Sequence, residues 1–129
     1  MNGRYLLDTN VIVAFLAGDG GVKKGFDEAD EVFLSGVAVG ELCYGARKSS
    51  RPQQNLARID QLVLTNVVLA CDLETAREYG EIKNALRMKG RPLPENDIWI
   101  AALARQHDLI LVTRDAHFRQ VDDLSMVAW

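Results

Sequence analysis

Four acidic side chains stand at positions that solvation alone explains poorly. Asp8 follows the apolar run Tyr5-Leu6-Leu7, and Asp115 stands just beyond Ile110-Leu111-Val112, reached through Thr113 and Arg114. If the segment around Glu41 is helical, the residues three and four positions away are Val37, Ala38, Tyr44 and Gly45, so the carboxylate lies along a mostly apolar stripe. Within LPENDIWIAALARQ, residues 93–106, Asp97 shares a helical face with Ile100, Ala101 and Ala104. A carboxylate taken from water costs several kcal/mol unless it is paired, hydrogen-bonded, protonated or bound to a cation. Four that converge also repel one another and raise at least one pKa, a conflict that a divalent metal resolves. Oxygen-only donors suit a hard ion, Mg²⁺ or Mn²⁺, rather than zinc.

Each acid taken alone also has an ordinary structural reading. Asp8 can belong to a strand-to-helix turn, Asp97 can complement a helix dipole, and Asp115 can be a loop acid. Glu41 resists such an account, because unpaired acids on apolar stripes are rare. The metal reading accounts for all four together. His107, at a helix end, and His117, in the loop beyond Asp115, lack metal-ligand spacing and read as surface residues. Cys43 and Cys71 form no paired motif and read as small, at least partly buried thiols.

Positioning these acids requires a framework, and the chain alternates short apolar runs with helical patterns. Strands are expected at 4–7, 31–34, 67–69, 109–112 and 125–128, each nearly continuous in apolar character, as strands covered on both faces are. Helices are expected at 11–17 with Asn10 as cap, 22–29, 37–48, 53–64, 73–89 between Asp72 and Gly90, and from Pro94 in the first turn to about 106. In the 73–89 helix the inner stripe reads Ala76, Tyr79, Gly80, Ile82, Lys83 and Leu86. Alternating strands and helices imply right-handed crossovers and a parallel sheet, hence a three-layer α/β/α sandwich. Ligands bind such sheets beyond the carboxyl ends of the strands, where strand order reverses.

The chain's 129 residues suit one domain, residues 1–129, and 48% hydrophobic with 26% charged residues is ordinary for a globular protein. A net charge of −3 argues against a general nucleic-acid coat but leaves room for a local basic patch. No apolar run reaches membrane-spanning length and none carries the flanks of a signal peptide, so a cytoplasmic location is expected.

The segments LLDTN, VAVGELCYGA, PENDIWIAA and LVTRDAHF, in this order and spacing, resemble PIN-domain ribonucleases, and more closely the VapC-type toxins of bacterial toxin–antitoxin pairs. The resemblance covers essentially the whole chain. It implies a five-stranded parallel sheet of order 3-2-1-4-5, with the reversal between the first and fourth strands, which Asp8 and Asp115 follow. It also implies that Asp8, Glu41, Asp97 and Asp115 form an acidic Mg²⁺ site, with Asn10 and Thr113 in support and Mn²⁺ able to substitute. Asp8 and Asp97 are the expected direct ligands, while Glu41 and Asp115 act directly or through water.

The reaction expected from the resemblance is hydrolysis of RNA phosphodiester bonds. Arg87, Lys89 and Arg91 before the Asp97 helix, Arg47, Lys48 and Arg51 after the Glu41 helix, and Arg114 are candidates to grip RNA phosphates. The resemblance further implies a VapB-like antitoxin partner and a homodimer. The rival readings are a non-catalytic PIN-like RNA-binding scaffold, a haloacid-dehalogenase-like phosphatase and a receiver-type phosphoacceptor. The phosphatase needs a second Asp two residues after the first, where Asn10 stands, and the receiver needs an Asp and a Lys where Ala70 and Trp129 stand.

Overall fold

The computed structural model describes residues 3–129. The chain runs β1 (Arg4–Leu7), α1 (Thr9–Leu16), α2 (Gly20–Glu28), β2 (Glu31–Ser35), α3 (Gly36–Arg47), α4 (Pro52–Thr65), β3 (Val67–Leu69), α5 (Leu73–Lys89), α6 (Glu95–Gln106), β4 (Ile110–Val112), a 3₁₀ turn (Ala116–Gln120) and β5 (Met126–Val127). All five strands pair in parallel in the order β3-β2-β1-β4-β5. Right-handed crossovers put α1 to α4 on one face and α5 with α6 on the other, giving three layers. The helix pairs α1 with α2, α3 with α4, and α5 with α6 are each in contact.

The central strands read as apolar runs because both of their faces are covered. Tyr5, Leu6 and Leu7 of β1, Phe33 and Leu34 of β2, and Leu111 and Val112 of β4 are all buried. The same logic explains why α6 is apolar on nearly every side. It lies between the sheet and α5, and Ile98, Ile100, Ala101, Ala102, Leu103 and Ala104 are all buried. A face-by-face hydrophobic count cannot distinguish such a sandwiched helix from any other core segment.

Local chemistry differs from expectation at several helix ends. Asp8, not Asn10, caps α1, its side chain accepting from the Thr9 N–H at 2.8 Å, and Asn10 lies exposed in the first turn. The helix therefore begins directly at the strand end and draws Asp8 into its N-terminal field. Pro94 occupies the cap position of α6 rather than its first turn. Ser35, fully buried, caps α3 by accepting from the Ala38 N–H at 2.9 Å. The expected ends of α5 are observed: Asp72 and Thr75 form a reciprocal capping box, and Gly90 closes the helix at φ +68°, the left-handed conformation that glycine adopts without strain.

The inner stripe of α5 is rotated from the one expected. Thr75, Ile82 and Leu86 are buried, Tyr79 is half-buried, and Ala76, Gly80 and Lys83 are exposed. Lys83 instead pairs with Glu95 at the edge of the α5–α6 contact, beside a Tyr79–Trp99 ring stack with centroids 4.0 Å apart. Thr75 reaches the inner face because the capping box satisfies its hydroxyl.

Candidate active site

The site is assembled at the carboxyl edge of β1 and β4, where the strand order turns back on itself. The ladder between these strands continues one residue past β1, with Asp8 N–H donating to the Val112 carbonyl at 2.9 Å. This places Asp8 directly beside Thr113, whose hydroxyl donates to Asp8 Oδ2 at 2.8 Å while accepting from the Asp115 N–H at 3.0 Å. Asp8 and Thr113 are both 4% exposed. A single buried hydroxyl thus fixes the carboxylate after β1 and the backbone that carries Asp115.

Two helices bring the other acids. Glu41 projects from α3 and accepts from the Thr9 hydroxyl at 3.0 Å. Thr9 therefore touches two of the four acids, since its backbone also donates to Asp8. Asp97, in the first turn of α6, is largely buried. Burial pushes the Asp8 carboxyl above its ordinary value of 3.8; the donors from Thr113 and Thr9 work against this and the charge of Asp115 adds to it. Burial also raises the Asp97 carboxyl, and the charges of Asp8 and Glu41 raise it further. The four acids form one electrostatic unit.

His117, half-buried, stands against this unit rather than free on the surface. Its Nε2 lies 2.9 Å from Asp97 Oδ2 and its Nδ1 lies 3.1 Å from Asp115 Oδ1. This buried nitrogen faces the Asp97 carboxylate, and the imidazole works against the rise of the Asp97 pKa. His117 arrives here because the 3₁₀ turn begins at Asp115, which caps it by accepting from the His117 N–H at 3.1 Å. Nothing in the linear spacing marks His117. Thr9 carried a signal, its place between Asp8 and Asn10 in DTN. Asn10 makes no side-chain hydrogen bond to the acids among the described residues.

The donor chemistry fits a hard divalent cation. Two carboxylates, Asp8 and Asp97, whose pKa burial and neighbouring acids raise are the arrangement an ion would relieve, and an imidazole stands between Asp97 and Asp115. Among the described residues no three acidic, histidine or cysteine side chains are drawn together tightly enough to hold an ion as they stand.

The predicted basic residues divide into two groups. Arg114 donates to the Trp129 carbonyl at 2.8 and 3.0 Å and to Asp19 at 3.0 Å, and Lys89 pairs with Asp122 at 2.6 Å. Both cations are thus paired within the fold while remaining exposed. Arg47, Lys48, Arg51, Arg87 and Arg91 are exposed on the surface.

A family model described as "PIN domain" matches residues 5–124. The chain belongs to the PIN-domain family. Among its PIN-domain relatives, Ribonuclease VapC2 of Haemophilus influenzae and the tRNA(fMet)-specific endonuclease VapC of Shigella flexneri are each 34% identical, with 98% of both chains covered. The PIN fold also superimposes on a crystal structure of DNA-bound VapBC from Salmonella typhimurium with a TM-score of 0.92, at 28% identity and 98% coverage of each chain. Asp8, Glu41, Asp97 and Asp115 of this PIN domain come from four separate segments, the β1–α1 junction, α3, α6 and the turn after β4.

Proposed function

We propose that this chain is a Mg²⁺-dependent endoribonuclease, the toxin of a toxin–antitoxin pair, with residues 1–129 acting as one cytoplasmic domain. The observation that carries the reading is the convergence of four carboxylates at the strand-order reversal, two of them lifted in pKa by burial and by their neighbours. The relatives at 34% identity, both named as nucleases, supply the reaction class. The VapBC structures, one titled as a member of a family of toxin–antitoxin systems, support an antitoxin partner, whose tail would cover the basic rim and the acids.

Asp8 and Asp97 would hold the ion, and Asp115 would join them directly or through water. A bound Mg²⁺ or Mn²⁺ supplies charge neutralisation at the phosphate and a water of lowered pKa. Glu41, oriented by the Thr9 hydroxyl, positions the attacking water in line with the scissile bond. Thr113 aims the Asp8 carboxylate and opposes the rise that burial gives its pKa, since its donor favours the charged form. Arg47, Lys48, Arg87 and Arg91 bind flanking phosphates, and a homodimer sets two such sites on one face.

The test is cleavage of a panel of purified RNAs, tRNA(fMet) included because a relative is named for it. Wild-type protein cuts in Mg²⁺ or Mn²⁺, EDTA silences it, and Asp97→Asn abolishes cleavage while the circular dichroism spectrum is retained. Cleavage by Asp97→Asn at the wild-type rate overturns the assignment. RNA binding without cleavage by wild-type protein favours the scaffold reading.

A further inference from the structure

Tyr44 is a large aromatic residue that the fold leaves in water. It lies one helical turn beyond Glu41 on α3 and is 68% exposed, whereas Leu42 and Ala46 beside it on the helix are buried. Tyr44 and Glu41 line the same groove, of about 670 Å³, which opens at Thr9 and Asn96 beside the acids and runs between α1, α3 and α4. The Lys48 ammonium lies 4.9 Å from the Tyr44 ring centroid, and Lys48 is itself exposed in the same groove. Exposed Arg47 and Arg51 flank this end of α3 in sequence.

An exposed ring with a cation beside it, one turn from the carboxylate that positions the attacking water, matches what single-stranded nucleic acid needs. Bases stack on aromatic faces whatever their identity, and cations alongside track the backbone. The acids demand a substrate whose phosphate reaches the carboxyl edge of the sheet, and a neighbouring base then falls within reach of the groove wall.

We propose that Tyr44, with Lys48 against its ring, is the stacking platform for an unpaired base next to the scissile phosphate. The platform thereby restricts cleavage to single-stranded positions of the RNA. The proposal rests on the ribonuclease reading above. Tyr44 contacts substrate without taking part in the proton or metal chemistry, so its loss acts on binding rather than on turnover.

The experiment compares wild type, Tyr44→Phe and Tyr44→Ala on an RNA that the wild type cuts, with the metal-free proteins also binding that RNA carrying 2-aminopurine beside the cut. Wild type and Tyr44→Phe quench the probe and share one KM, because the ring is kept. Tyr44→Ala loses the quenching and raises KM between about fivefold and a hundredfold at unchanged kcat. Unchanged quenching and KM in Tyr44→Ala overturn the proposal, as does a variant that loses only neutralisation by the antitoxin, which would assign the ring to the protein partner. If the wild type cuts no RNA, the ribonuclease reading fails and the stacking proposal falls with it, an outcome distinct from the other two.

Discussion

Replacing Thr113 with valine tests the hinge of the site, because it removes a hydroxyl at nearly constant shape. The lost hydroxyl donates to Asp8 Oδ2 at 2.8 Å and accepts from the Asp115 N–H at 3.0 Å, in a place with 4% exposure for both Thr113 and Asp8. Water cannot readily replace it there. A hydrogen bond to a charged group contributes about 1.5–3 kcal/mol. With a melting entropy of roughly 2.1 cal/mol/K per residue over 129 residues, that loss lowers Tm by about 6–11 °C. The Thr113 donor favours the ionised carboxyl, so the deficit is fullest at neutral pH and shrinks as Asp8 takes up a proton near and below its raised pKa. Thermal melts in EDTA, at neutral pH and again near the ordinary aspartate value of 3.8, measure both effects. Cleavage should fall about 10- to 100-fold, the usual cost of losing a partner that orients a ligand, and Thr113→Ser should recover most of it. A Thr113→Val protein that melts within about 2 °C of wild type and cleaves RNA normally would refute the reasoning.

Three further outcomes follow from the same geometry. The folded pKa values of Asp8 and Asp97 lie above the unfolded ones, so their stabilising contribution is present below the unfolded value and is lost as pH rises through the raised folded values. Asp97→Asn should therefore raise the neutral-pH Tm in EDTA and cancel the upward Tm shift that Mn²⁺ gives the wild type; a lower Tm in EDTA would contradict this. Joint Arg87→Ala and Arg91→Ala should reduce the salt dependence of RNA binding by about 1.4 in log–log slope, at about 0.7 per single-strand phosphate, whereas Arg114→Ala should leave the slope alone and lower Tm. An equal slope change in Arg114→Ala would show that its contacts with Asp19 and Trp129 open in solution. Gly25→Ala should destabilise by about 1–3 kcal/mol and shift tryptophan emission to the red, because the added methyl would stand 2.3 Å from the Trp129 ring and push the indole from its place beside Tyr5. Unchanged emission would show that the helix moves instead.

The sequence by itself determined the strand and helix order, the parallel sheet and the four acids, because those features are written in local pattern. An apolar run ended by an acid is legible as a strand meeting a site, as at Asp8, and a capping Asp followed by a terminal Gly is legible as the two ends of α5. Periodicity put Glu41 on a stripe with Val37, Ala38, Tyr44 and Gly45, yet only Ala38 of these is buried, and Glu41 stands half-buried at a groove wall.

Only the tertiary structure decided the features that depend on which groups meet across the sheet edge. His117 enters the acid cluster through the way the 3₁₀ turn folds back onto α6, a contact between residues 20 positions apart that no helical or strand period encodes. Arg114 and Lys89 look like free cations in sequence, yet Asp19, Trp129 and Asp122, all distant along the chain, claim them. The inner face of α5 is not legible from residue type, because Thr75 is polar but satisfied by its cap, while Lys83 is exposed and pairs with Glu95. Residue type shows what a side chain can do, but burial and partners, set by the packing of segments far apart in sequence, decide which of those capacities is used.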